Sequence, residues 1–148
     1  TTEIYTLSLH DALPIYGVWD EVAEIRNLLE LALEDACDGI MLVAKGLPRL
    51  PNTLSLIAPG WKGETQVMAM DLQGFAVSAG SACSSGKVTS SRVLRAMGYS
   101  EAEAGAALRV SIGPGVTKED ALRFAAAYGR AFKRAGERMK QAGADLPR

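Results

Sequence analysis

Cys83 sits in Ser78-Ala79-Gly80-Ser81-Ala82-Cys83-Ser84-Ser85-Gly86-Lys87, a run of small residues closed by a cation. A thiol in such company has the make-up of a nucleophile carried on a mobile loop. The thiolate is the reactive form, and an unperturbed thiol titrates near about 8.5. A nearby cation lowers that value, and Lys87 or the start of a following helix could supply the positive potential. A flexible Gly/Ser segment would let one sulfur visit two different places in turn. Ser81, Ser84 and Ser85 read as loop formers, because no histidine–aspartate arrangement accompanies them for serine catalysis. Cys37 falls at a helix end and reads as packing. Cys37 and Cys83 could pair in principle, which sequence alone does not decide. No role is assigned to His10, and no metal site.

The chain that must hold this segment has 148 residues, 48% of them hydrophobic, which suits one domain with a core of its own. A formal net charge of −1 points to neither a nucleic-acid binder nor an acidic tail. No basic segment followed by an apolar core opens the sequence, and no apolar run is long enough for a membrane span. Two cysteines suit a reducing compartment, and a cytoplasmic location is expected.

Residues 1–16 lack a clean period. Leu7-Ser8-Leu9-His10-Asp11-Ala12-Leu13-Pro14-Ile15 looks like a translated sequencing adapter, with a divergent leader or strand as the alternative. The legible protein is expected to begin near Tyr16, giving a leader 1–16, a domain 17–141 and a tail 142–148. Val22, Ile25, Leu29, Ala32 and Ala36 predict a helix from Asp20 to Ala36, with Asp20 as its N-cap and Gly39 as its stop. Strands are expected at Ile40–Val43, Thr53–Ala58, Phe75–Val77 and Ala107–Ile112, the second entered through a proline-punctuated connector from Lys45. Gly63–Leu72 reads as a helix with Val67, Met70 and Leu72 inward. Another is expected over Thr89–Met97, capped by Thr89 or Ser90. Ser100-Glu101-Ala102-Glu103 is a capping box, and Thr117 with Asp120 is a similar start. Leu122, Ala125, Tyr128, Phe132, Ala135 and Met139 then line one face of a long helix to about Gln141. Gly129 and Gly136 weaken that helix by about 1 kcal/mol each, and their small size suits close packing. Seven acidic residues against Arg26 in Asp20–Asp38, and seven basic against three acidic in Lys118–Lys140, read as solvated helix faces. The expected fold is α/β, more closely an α+β small domain: a small mostly antiparallel or mixed sheet with helices packed mostly on one face.

Three blocks in order make the sequence specific: Arg49-Leu50-Pro51-Asn52-Thr53-Leu54-Ser55, then Ser78 through Gly86, then Ala107-Leu108-Arg109-Val110-Ser111-Ile112-Gly113 followed by Thr117. They resemble the C-terminal region of a cysteine desulfurase, a class V aminotransferase-like enzyme dependent on pyridoxal phosphate. The cysteine block is similar to that of the long-loop subgroup that supplies sulfur for iron–sulfur clusters. The resemblance covers roughly residues 17–140 and implies the C-terminal small domain of a fold-type I enzyme. It implies that Cys83 takes sulfur from L-cysteine as a persulfide while L-alanine leaves. It implies that Arg109 holds the substrate carboxylate, for which a planar guanidinium is well suited. Ser78, Gly80, Ser81, Ala82, Ser84, Ser85 and Gly86 would form the mobile loop, and Arg49 reads as structural.

The family's cofactor lysine, its neighbouring histidine and its phosphate-binding segment find no matching block here. Lys45 and Lys62 have the wrong surroundings. Pyridoxal phosphate is therefore expected in the parent protein and not on the isolated chain, which should be inactive alone. Pro114-Gly115 stands where the family commonly has an arginine or similar residue, which leaves the nearby pocket less defined. Selenocysteine lyases are related, although the loop favours cysteine. The implied partners are L-cysteine, a sulfur-acceptor or iron–sulfur scaffold protein, and a second copy in a parent homodimer, with no nucleic acid and no membrane. A noncatalytic sulfur-relay or partner-binding module is the competing reading.

Overall fold

The computed structural model describes residues 15–80 and 90–144, with side chains described for 17–80 and 90–141. In chain order the elements are α1 (Ile15–Ala36), β1 (Met41–Leu42), β2 (Thr53–Ile57), α2 (Gly63–Asp71), β3 (Ser78–Ala79), α3 (Arg92–Ala96), α4 (Glu101–Gly105), β4 (Ala107–Ser111) and α5 (Lys118–Ala144). The four strands form one sheet in the order β1-β2-β4-β3, antiparallel at every pairing.

Alternation along the two central strands sorts their side chains onto two faces. Leu54, Leu56, Leu108 and Val110 are buried with Val22, Leu29 and Leu33 of α1 and Phe124, Ala125 and Tyr128 of α5. This is the main core, and it puts both long helices on one side of the sheet. Ile57 and Ala107 belong instead to a smaller cluster with Leu94 and Ala104, in which the short α3 and α4 cover one end of the second face. The rest of that face is open and polar. The domain is thus a small α+β fold with its helices chiefly on one face, as expected.

Helices α1 and α5 pack tightly because Gly129 has no side chain: a Cβ there would lie 3.0 Å from the Ala36 Cβ and 3.2 Å from its carbonyl oxygen. The expectation of close packing holds for Gly129 but not for Gly136, where a Cβ would meet nothing within 4 Å.

Several boundaries and faces differ from the sequence reading. Helix α1 begins at Ile15, inside the expected leader, so Asp20 lies within the helix and does not cap it. Its buried stripe runs Val22, Ile25–Arg26, Leu29–Glu30, Leu33 and Cys37, while Ala36 is exposed. Two charged residues fill places the apolar pattern could not mark. They are tolerated because each is paired: Arg26 Nη1 donates to the Leu50 carbonyl at 2.7 Å, and Glu30 meets Arg49. On α5 the buried stripe is Ala121, Phe124–Ala125, Ala127–Tyr128 and Ala131, with Phe132 and Ala135 packed at its border. Leu122 lies at the edge of the stripe and is half-exposed, whereas Met139 keeps the direction of the stripe but is half-exposed near the far end of the helix, beside Gly60.

Strand β3 forms at Ser78–Ala79 and not at Phe75–Val77. The Phe75 ring is held against α5, edge-on to Phe124 at 5.2 Å with the Arg123 guanidinium 5.6 Å above it, so the chain reaches β4 only at Ser78. Helix α3 starts at Arg92 with Ser91 as its cap, whose hydroxyl accepts from the Leu94 N–H at 3.4 Å. Ser90 does not cap it, and Thr89 lies outside the described residues. Leu72, the C-cap of α2, is 88% exposed, and Gln66 within the helix is buried in its stead.

Candidate functional site

Arg109 stands at the middle of β4, on the open face of the sheet. The register places it directly between two hydroxyl residues, Ser55 of β2 on one side and Ser78 of β3 on the other. Directly opposed residues share a face and lie close enough to interact. The next row on the same face pairs Thr53 with Ser111. The result is a cation set in a strip of hydroxyl side chains, with no carboxylate among these five residues. Arg109 takes part in no ion pair among the described residues. A guanidinium so placed can bind a carboxylate through two parallel N–H donors, with serine hydroxyls on either side to complete the cradle.

The strip is held by its edges. Upstream of β2, the connector is clamped twice to α1: by the Arg26–Leu50 contact, and by a two-pronged pair in which Arg49 Nη2 donates to Glu30 Oε2 at 2.8 Å and Nη1 meets Oε1 at 2.5 Å. Arg49 therefore has the structural role read from the sequence. At the other end, Gln66 is fully buried and satisfies three groups. Its Nε2 donates to the Trp61 carbonyl at 2.7 Å and to the Ala106 carbonyl at 2.8 Å, while its Oε1 accepts from the Tyr128 hydroxyl at 2.8 Å. Ala106 immediately precedes β4, so this network ties the entry of the Arg109 strand to α2 and α5. Gly63 opens α2 against the same strands: a Cβ there would lie 2.7 Å from the Ala107 carbonyl oxygen and 2.9 Å from the Ala79 Cβ.

Strand β3 runs from Ser78 into Gly80, whose φ of 68° lies in the left-handed region that glycine adopts without strain. Residues 81–89 follow. Of the predicted site residues, Ser78 of β3 and Arg109 of β4 are thus paired directly, and Gly80 follows just past the end of β3. Ser81, Ala82, Cys83, Ser84, Ser85 and Gly86 lie outside the described residues, as do Lys87 and His10. Gly80 and Ser90, which bracket the segment, both line a cleft of about 460 Å³ whose wall includes Lys62, Gly63 and Gly105. Cys37 is 2% exposed, and burial pushes its thiol up to about 11. That is the signature of a packing cysteine and not of a reactive one.

Sequence reasoning did not assign Ser55, Ser111 or Gln66. The two serines sit in the quoted blocks, at every second position along predicted strands, and that alternation was the available signal. Gln66 carried no signal, since a single polar residue in a short helix reads as exposed.

The described residues do not fit pyridoxal phosphate. The cofactor needs a lysine amine held within a shaped pocket, together with groups that tune its ring. Among the described residues every lysine is at the surface: Lys45 is paired with Glu34 at 2.6 Å, Lys118 faces Glu24 at 3.8 Å, and Lys62, Lys133 and Lys140 are exposed.

A small antiparallel sheet backed by two long helices, with an arginine on its open face beside the strand that leads to a cysteine segment, defines the class: the fold is that of the C-terminal small domain of fold-type I proteins. Known proteins agree at the level of the family. The chain is 34% identical over 91 residues to a cysteine desulfurase of Klebsiella pneumoniae, a match spanning 62% of this chain and 23% of the relative. It is 33% identical over 99 residues to a cysteine desulfurase of Sinorhizobium fredii, spanning 67% of this chain and 26% of the relative. Among solved structures, a NifS-like protein from Rickettsia africae superposes with a TM-score of 0.62 at 25% identity, covering 80% of this chain and 29% of that one. A second NifS-like protein, at 24% identity and a TM-score of 0.65, shares the fold. The chain is therefore homologous to part of the cysteine desulfurase and NifS-like proteins, and it spans about a quarter of the length of the relatives it matches. No protein-family model matches it.

Proposed function

We propose that residues 17–141 are the C-terminal small domain of a cysteine desulfurase, with 142–148 as its tail, and that this domain receives sulfur on Cys83. The observation that carries the reading is the Ser55–Arg109–Ser78 row on the open sheet face, in which one member belongs to the strand that runs into the Cys83 segment. In this reading Arg109 holds the carboxylate of L-cysteine, so that the substrate thiol is presented to Cys83 at high effective concentration. The Cys83 thiolate forms a sulfur–sulfur bond, the carbon–sulfur bond of the substrate breaks, and the carbon skeleton leaves as L-alanine. Breaking that bond needs the electron sink that pyridoxal phosphate supplies in the whole protein. The described residues form no site for it, so this step is not assigned to the chain by itself.

What the chain can do alone is accept and pass on a sulfur atom. A low-molecular-weight persulfide can transfer its terminal sulfur to the Cys83 thiolate and leave as a thiol, with no net redox change. The sulfur then goes to an acceptor protein, such as an iron–sulfur scaffold. The parent protein is proposed to be a homodimer in the cytoplasm, where free thiols persist.

The test treats the purified chain and its Cys83→Ala variant in two ways, followed by assays for cyanide-labile sulfur and for sulfide. With a persulfide donor and no cofactor, labile sulfur on the wild type and none on the variant is expected. Equal labelling of both would end the assignment to Cys83. With pyridoxal phosphate and L-cysteine, no Cys83-dependent sulfide is expected. Its appearance would overturn the view that the C–S cleavage machinery lies elsewhere.

A further inference from the structure

We propose that the groove between α2 and α5 docks an acidic amphipathic helix of a partner protein. The groove has a volume of about 560 Å³. Its floor is apolar, built from Trp61, Ala131 and Ala135, and the Trp61 ring is fixed from behind by Tyr128 at 5.4 Å and Phe132 at 6.2 Å. Leu72 and Met139 stand at its edges, 88% and 39% exposed, and together offer an apolar lip. Every charged residue that lines it is a cation: Lys62 on the α2 side, Arg134 and Arg138 on the α5 side. None of the three takes part in an ion pair among the described residues, although elsewhere on α5 Arg123 pairs with Asp120 and Lys118 with Glu24 of α1.

An apolar floor between two helical walls is the geometry that receives the apolar stripe of a third helix. The all-cationic rim sets the sign of that helix's flanks. A nucleic acid is the poorer occupant, since the chain as a whole has a formal net charge of −1 and the floor offers buried apolar contact in place of further cations.

The position adds a consequence. Gly60 and Lys62 line this groove and also the cleft bounded by Gly80 and Ser90. A helix seated between α2 and α5 therefore lies next to the place where the Cys83 segment leaves the sheet. That the partner is the acceptor of sulfur from Cys83 rests on the reading above, whereas the docking rests only on the groove.

The experiment uses the full chain and labelled synthetic peptides of about four helical turns, with leucine on one face and glutamate on the other, followed by fluorescence anisotropy. Saturable binding that weakens with added salt is expected, and a scrambled peptide of the same composition should bind about tenfold or more weakly. Arg134→Glu with Arg138→Glu should lose binding, Leu72→Ser should weaken it, and Arg130→Glu, outside the groove on the same helix, should leave it unchanged. Circular dichroism melts establish that the variants remain folded. Cys83→Ala should bind like wild type, so a failed sulfur-transfer assay and a failed docking assay are separable. Equal binding of the scrambled peptide, equal competition by a single-stranded oligonucleotide, or no binding of the amphipathic peptide would each overturn the proposal.

Discussion

The Arg49–Glu30 pair offers a quantitative test of how the connector into β2 is held. The side chains are 17% and 4% exposed, and the guanidinium meets both carboxylate oxygens. Replacing Arg49 with methionine keeps much of the volume but leaves the Glu30 carboxylate buried without its cation. Breaking such a buried pair typically costs about 3–5 kcal/mol, and the residual exposure of Arg49 argues for the lower end, about 3 kcal/mol. A domain of this size has about 5–15 kcal/mol in all, so the single variant should lose a large share of its stability. The double variant Glu30→Leu with Arg49→Met removes both charges, and should return to within about 1–2 kcal/mol of wild type. Urea unfolding of wild type, both single variants and the double variant closes the cycle. If Arg49→Met costs less than about 1 kcal/mol, the value for an exposed ion pair, the clamp is not acting as a buried one. If the double variant loses the sum of the two singles, the pair is not coupled, and the same reasoning fails.

Tyr128→Phe removes only the hydroxyl that donates to Gln66 Oε1, leaving a fully buried amide oxygen unpaired. A loss of about 1–3 kcal/mol is expected in thermal or urea unfolding, and an unchanged midpoint would mean that the network does not anchor the entry to β4. Cys37 ties stability to alkaline pH. Its folded-state thiol is raised to about 11 by burial, against an ordinary value near 8.5–9, so the unfolded chain loses this proton first. Its contribution is whole below the unfolded value and declines as pH rises from there towards 11, by up to about 1.4 kcal/mol per pH unit. Burial also pushes the Tyr128 phenol up, but that contribution begins higher, near about pH 10. Cys37→Ala should flatten the decline between pH 9 and 10, and an identical slope in wild type and variant would refute the linkage.

Features fixed by neighbours along the chain were legible. The Ser100–Glu103 capping box needs only residues three apart, and both its reciprocal bonds are present, the Ser100 N–H donating to Glu103 at 2.7 Å and the Glu103 N–H to Ser100 at 3.2 Å. The Thr117–Asp120 start is the same device. β2 and β4 announced themselves by alternation. Features fixed by partners distant in sequence were not legible. Arg109 was marked by its block, but that Ser55 and Ser78 flank it depends on a register that no local pattern specifies. Arg26, Glu30 and Gln66 are polar and buried, so a reading that sends polar residues outward turns the helix faces slightly wrong, as it did for Ala36 and Leu72. The shortened β3 has the same origin: the preference of Phe75 for the ring of Phe124 outweighs its strand propensity.

Gly63 carries an implication for any attempt to redesign this domain. The first turn of α2 touches both the strand that bears Arg109 and the strand that leads to the Cys83 segment, through one atom-sized gap. The two strands thus share a common bearing surface. A graft that imports a different cysteine segment onto β3 must preserve that gap. Otherwise the imported sulfur and the Ser55–Arg109–Ser78 row will shift together, and the change would be misread as a fault in the new segment.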